Sequence, residues 1–200
     1  MGHQRLADTM TPVLIIPGLG NSAEGHWQTF LQRARPATRR VEQHDWDSPD
    51  LESWLHRLVS SIVSTPNAVL VAHSLGCVLV SHAMAKFPYL PARAALLVAP
   101  ADVDSEFHTP SVLRGFAPVP IGRLPFRSMV VASANDPYMT LHRAEALATA
   151  WGSEFRNVGA AGHINIASGY GPWPAAHKLL AELTDDFADA NGPDLIRRAR

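Results

Sequence analysis

The sequence predicts a three-layer α/β/α sandwich built on about six mostly parallel strands, and three observations carry that expectation. Short β-rich runs alternate with amphipathic helical stretches along nearly the whole chain. The β-rich runs are near-continuously apolar rather than alternating, as strands covered on both faces are. The chain also lacks internal repeats, which sets solenoid architectures aside.

The totals agree with that class. Two hundred residues, 46% hydrophobic and 18% charged, form an ordinary globular composition with enough chain for a substantial core. One domain over residues 1–200 is expected, with its core at about 11–187 and a frayed tail at 188–200. A net charge of −1 gives no electrostatic reason to expect nucleic acid or an anionic membrane as partner. The lone cysteine, Cys77, cannot form an internal disulfide and falls within an apolar helical stretch, so it is expected in the core. No apolar run approaches the ~20 residues of a membrane helix, and residues 1–11 lack the plan of a signal peptide. A cytoplasmic location is therefore the expectation.

Residues 11–16 read as the first strand and end in the glycine loop Pro17-Gly18-Leu19-Gly20-Asn21-Ser22. Such a loop lets backbone N–H groups approach something bound, but it has no Gly-Lys-Ser/Thr ending and is not a nucleotide P-loop. Trp27, Phe30 and Leu31 form one stripe of a helix running to about residue 35. Residues 39–43 read as a short second strand. A loop through Asp47 follows, and Asp50 is a predicted cap for a helix carrying Leu51, Trp54, Leu55, Leu58 and Ile62.

An apolar third strand, residues 68–72, stops at His73-Ser74-Leu75-Gly76, and a helix to about residue 86 begins at once. A fourth strand covers 94–99. Residues 101–125, interrupted by Pro110, Pro118, Pro120 and Pro125, read as an irregular excursion with one helical turn near 112–116. It is long enough for a partial wall over a site and too short for a cap domain. Residues 128–132 are the fifth strand, followed by Asn135-Asp136-Pro137-Tyr138. Thr140 is expected to cap a helix reaching Trp151. Residues 154–158 are the sixth strand, and Gly162-His163-Ile164-Asn165 lies in its loop. A last helix carries Leu179, Leu180, Leu183 and Phe187.

Ligands of such sheets bind beyond the carboxyl ends of the strands, so the loops that follow strands hold the chemistry. There the chain collects a glycine loop, Ser74, Asp136 and His163. A serine hydroxyl becomes a useful nucleophile when an imidazole takes its proton and a carboxylate fixes the imidazole tautomer. Ser74 sits on a strand–turn–helix junction, which is the geometry of a nucleophile elbow. The elbow motif is Gly-x-Ser-x-Gly, and here Ala72 replaces its first glycine. The competing reading of Ser74 is a helix N-cap. The order Ser74, Asp136, His163 is that of the α/β-hydrolases. The expected oxyanion donors are the N–H groups of Leu75 and Leu19.

Further expectations concern the surroundings. Gly18, His26 and Tyr170 are assigned to substrate binding, with Phe116 and Trp173 as further aromatic walls; Trp27 is expected in the core. His73 is assigned a packing or pocket-wall role because neighbours on an elbow point apart. Asp102 and Asp104 are rival triad acids, less favoured than Asp136 because Asn-Asp-Pro turns directly after a strand. His44, Asp45 and Asp47 have ligand chemistry without metal-ligand spacing, so no metal site is assigned.

The sequence resembles the compact α/β-hydrolases of the YdeN and retinoblastoma-binding-protein-9 type, described as predicted serine esterases. The resembling segments are Ile16 to Ser22 with Gly25-His26-Trp27-Gln28, Asp45-Trp46, Ala72 to Cys77, Asp136-Pro137-Tyr138, and Gly162 to Asn165 with Ser168 to Pro174. The resemblance implies a lidless fold, the same triad, and no metal or organic cofactor; it supplies no substrate, and the small-molecule acyl substrate expected here follows from the serine chemistry. Two other readings remain open on sequence alone: a protein-binding module on a hydrolase scaffold, and a flavodoxin-like domain using the Gly18 loop for phosphate.

Overall fold

The computed structural model describes residues 11–184. Phe187 of the predicted last stripe and the predicted tail lie outside the described residues. Six strands, β1 (Val13–Ile16), β2 (Thr38–Arg40), β3 (Ala68–His73), β4 (Ala92–Val98), β5 (Arg127–Ala132) and β6 (Glu154–Asn157), form one sheet in the order β2-β1-β3-β4-β5-β6. Every pairing among the described residues is parallel, in agreement with the expected sheet. Strand β3, which delivers Ser74, lies inside the sheet between β1 and β4.

Because successive side chains of a strand point to opposite faces, each apolar strand feeds two cores. Leu14, Ile16, Leu70, Ala72, Leu97 and Val130 face the core covered by helices α2 (Leu51–Ser64), α3 (Leu75–Lys86) and α4 (Leu141–Trp151). Val13, Ile15, Val69, Val71, Leu96 and Val131 face the other, covered by α1 (Trp27–Ala34) and α5 (Pro174–Thr184). That is the predicted three-layer sandwich. Asp50 accepts the Ser53 N–H and Thr140 the Arg143 N–H, so both predicted caps form, and Gly152 closes α4 in the left-handed region.

One local expectation changes. Strand β2 occupies Thr38–Arg40 rather than 39–43; only the Val41 N–H, bonding the Ile15 carbonyl at 2.9 Å, prolongs its pairing with β1. The excursion is irregular chain with one helical turn, as expected. Its Ser111–Phe116 turn is a 3₁₀ helix, and the Arg114 guanidinium donates to the carbonyls of Val103, Ser105 and Thr109 and to the Thr109 hydroxyl at 2.7–2.8 Å.

The start of α3 packs against the end of β1 with no space for a side chain. A Cβ on Gly76 would collide with the Ile16 carbonyl oxygen and come within 2.8 Å of that of Pro17. Gly76→Ala is expected to cost about 2 kcal/mol or more and to lower Tm by about 4–8 °C. Thermal unfolding checks this, and an unchanged Tm would show that the contact relaxes freely.

Candidate active site

At the carboxyl end of β3 the backbone passes through Ser74 with φ 56° and ψ −124°. Positive φ is uncommon for a residue with a Cβ and costs of order 1–3 kcal/mol. The strain turns the hydroxyl out of the helix: the Ser74 side chain makes no capping hydrogen bond, which removes the N-cap reading. Its Oγ lies instead 3.0 Å from His163 Nε2. His163 Nδ1 lies 2.9 and 3.0 Å from the two carboxylate oxygens of Asp136. A carboxylate only accepts, so Nδ1 carries the proton and Nε2 is left to accept from Ser74. The Asp136 and His163 side chains are 2% and 7% exposed, so water does not compete for these bonds.

The loops after β5 and β6 are tied to each other. Asn135 Oδ1 accepts the Gly162 N–H at 2.7 Å, Ser133 Oγ accepts the Ala161 N–H at 2.9 Å, and the Ala134 N–H bonds the Gly159 carbonyl at 2.8 Å. The carboxylate and the imidazole therefore share one framework. Asp102 and Asp104 belong to another: both face Arg143, at 3.7 and 2.6 Å, and Asp104 also accepts the Val119 N–H. Asp136 is the carboxylate on His163.

A cavity of about 370 Å³ opens over Ser74. Leu19, His26 and His73 line it, as do Thr109, Pro110 and Leu113 of the excursion, so the predicted partial wall is real. His26 is where the sequence put it. Gly18 and Tyr170 are not on the cavity wall, and their assignment to substrate binding is corrected. Gly18 lies under the nucleophile, where a Cβ would sit 2.8 Å from Ser74 Cβ and 3.0 Å from the Leu75 nitrogen. Tyr170 packs edge-on against Trp173, which itself packs against Trp27. Phe116 is buried against Trp54, so neither it nor Trp173 is an aromatic wall. That position is taken by Tyr138, whose ring stands edge-on to His163 with centroids 4.6 Å apart.

Trp27 is in the core as expected, and its indole N–H also holds the Ile164 carbonyl at 2.9 Å. Sequence reasoning gave no role to Gln28. Fully buried, it donates to the carbonyls of Ile16 and Val71 and accepts from the Ser22 hydroxyl, joining the ends of β1 and β3 to the glycine loop. A glutamine on the apolar side of a helix one position after Trp27 was the available signal. The N–H groups of Leu19 and Leu75 have no backbone acceptor, the latter because it is the first residue of α3. Asp45 accepts the N–H groups of Asp47 and Ser48, an Asx turn, and its carboxyl is held below its ordinary value by those bonds. Among the described residues no three His, Cys, Asp or Glu side chains gather as a metal-ligand set.

The serine hydrolase family profile matches residues 13–182. This chain belongs to the serine hydrolase family. A crystal structure described as that of a YdeN-like hydrolase from Pectobacterium atrosepticum is 31% identical, with 92% of this chain and 95% of that one covered and a TM-score of 0.79. The ydeN gene product of B. subtilis is 21% identical over 88% of this chain and all of its own, with a TM-score of 0.72. Est1E from Butyrivibrio proteoclasticus, with ferulic acid bound, shares the fold at 13% identity, covering 88% of this chain and 90% of its own, with a TM-score of 0.69. No curated protein matches the sequence. This serine hydrolase has, among its described residues, no helix long and apolar enough to cross a membrane.

Three imidazoles stand in a row, His26 to His73 and His73 to His163, each pair with centroids 4.8 Å apart. Burial, then the Arg40 charge, then His163 lower His26 from 6.5 to about 4. Burial and the neighbouring imidazoles hold His73 well below its ordinary value. His73 Nε2 donates to the His163 carbonyl at 2.9 Å, which fixes its tautomer and anchors the His163 backbone. Burial likewise raises the Cys77 thiol, which stays protonated in the core. Between pH 6.5 and about 4 the unfolded chain binds more protons at His26 than the folded one, so stability is full above 6.5 and falls as pH drops. For His26 alone the loss is about 3 kcal/mol across that window. Tm measured from pH 7 to pH 4 should decline in the wild type and decline less in His26→Gln; parallel curves would remove His26 as a cause.

Proposed function

We propose that this serine hydrolase cleaves carboxylic esters and related acyl substrates through a triad of Ser74, His163 and Asp136 and an acyl-enzyme intermediate. The observation that carries the reading is the continuous pair of contacts from Ser74 Oγ to His163 Nε2 at 3.0 Å and from His163 Nδ1 to Asp136 at 2.9 Å. Ser74 Oγ attacks the acyl carbon while His163 Nε2 takes its proton. Asp136 stabilises the imidazolium that forms. The leaving alkoxide departs with that proton as its bond to the acyl carbon breaks. Water then attacks the acyl-enzyme, His163 takes the water proton and returns it to Ser74, and the carboxylic acid is released. The N–H groups of Leu75 and Leu19 are the oxyanion donors in this reading, supported by their lack of backbone acceptors and by Leu19 lining the cavity.

Every step uses groups of the chain and water. The ester, rather than the amide, is supported by the resemblance to serine esterases, and the partner is a small-molecule acyl substrate. A binding module without catalysis finds no support in the site, since it gives no reason to hold Ser74 at a strained φ facing a buried imidazole. Ala72 is fully buried in the core facing α2, α3 and α4, so the departure from the elbow motif is a packing variant.

Short-chain p-nitrophenyl ester turnover and fluorophosphonate labelling test this reading. Ser74→Ala is expected to abolish labelling and to lower kcat by at least about 1,000-fold, and Asp136→Asn to lower kcat by about 1,000- to 10,000-fold with little change in labelling site. Turnover that survives Ser74→Ala would overturn the proposal.

A further inference from the structure

The cavity over Ser74 offers more free hydrogen-bond donors than acceptors. None of its lining residues is Asp, Glu, Lys or Arg. Asn21 and Asn165 both line it, and both carboxamide oxygens are already occupied. Asn21 Oδ1 accepts the Ser22 N–H at 2.7 Å and an Arg40 guanidinium N–H at 2.6 Å. Asn165 Oδ1 accepts the Ser168 N–H at 3.1 Å and the Ser168 hydroxyl at 3.0 Å. Because those partners are donors, the atom they hold must be the oxygen, and each side chain has only its NH₂ left to offer. Neither Nδ2 has a protein partner or belongs to the sealed, unpartnered atoms of the described residues.

His26 adds a third donor. Its Nδ1 accepts the Gln28 N–H at 3.2 Å, so the ring proton sits on Nε2, which has no protein partner. The ring is uncharged at neutral pH because its pKa is depressed to about 4. The one hydroxyl of the excursion wall, that of Thr109, is consumed: it lies 2.9 Å from the Asp102 carbonyl and accepts from Arg114 at 2.7 Å. Donors thus predominate around a largely apolar cavity without charged side chains, in which the Tyr138 hydroxyl, able to donate or accept, also has no protein partner.

We propose that the preferred substrates are uncharged esters carrying a second acceptor oxygen, an ether or keto oxygen, within a few atoms of the scissile carbonyl, with Asn21 and Asn165 as the residues that select it. This rests on Ser74 being the nucleophile. A hydrocarbon chain of the same length would leave the two carboxamides without partners once water is displaced, and unpaired polar groups discriminate more strongly than lost methylene contacts.

The test compares matched esters that differ by one atom: p-nitrophenyl methoxyacetate against p-nitrophenyl butyrate on the acyl side, and 2-methoxyethyl butyrate against butyl butyrate on the alcohol side. Asn21→Asp and Asn165→Asp are the informative variants, because each keeps the oxygen that the loop needs and replaces the donor with an acceptor. The ether-to-hydrocarbon ratio of kcat/KM, measured in wild type and variant, cancels the intrinsic reactivity of each ester. In at least one pair the ratio is expected to fall about tenfold in a variant. Ratios that stay within twofold in both pairs and both variants would overturn the proposal, as would a preference for the matched succinate half-ester, which would mean a charged ligand. Failure of the underlying reading looks different: no turnover of any ester and no fluorophosphonate label on Ser74 in the wild type, which removes both.

Discussion

Between β3 and α3 the chain changes from strand to helix at one residue, and the site depends on that turn being held. Ser74 occupies φ 56°, a conformation that the isolated peptide would leave. The hold comes from packing on both sides of the serine. Gly76 lies against the carbonyls of Ile16 and Pro17, and Gly18 against Ser74 and Leu75. One consequence is mechanical: the serine hydroxyl is pushed clear of the helix. A second is electrostatic, because the same approach brings the backbone of the glycine loop beside the first, unpaired N–H of α3.

The other half of the site is fixed by the loops after β5 and β6, and its charge balance is set by burial. His26, His73 and His163 lie close enough that two positive charges among them would repel. Desolvation keeps His26 and His73 neutral, and the one imidazole facing a carboxylate is His163. In the proposed reaction the positive charge of the transition state therefore falls on the ring that Asp136 supports. The neutral His73 remains useful as a donor to the His163 carbonyl. The excursion, locked by Arg114, closes the cavity without covering it.

Much of this was legible in the sequence because it follows from local rules. Apolar runs ending in turn residues placed Ser74, Asp136 and His163 on the same edge of a parallel sheet, and the caps at Asp50 and Thr140 formed as their side chains dictate. The cavity wall was less legible. Tyr170, Trp173 and Phe116 look like wall residues in sequence, yet large aromatics gain more by packing on other aromatics, Tyr170 on Trp173, Trp173 on Trp27 and Phe116 on Trp54, than by facing an open cavity. Tyr138 is the exception because the Asp136 turn, bonded to its own N–H, carries it over His163. Asn21 and Asn165 were hidden for another reason. Their significance lies in which amide atom is already used, and that depends on Ser22, Arg40 and Ser168 meeting them in space.

The central claim, that Ser74 carries the acyl group during turnover, is tested most directly by acid-quenching the enzyme within milliseconds of mixing with a butyrate ester and mapping the peptides by mass. The account predicts a butyryl adduct confined to Ser74 that forms and decays at rates consistent with kcat. Ester hydrolysis with no adduct on Ser74 at any quench time, or an adduct on another residue, would contradict it.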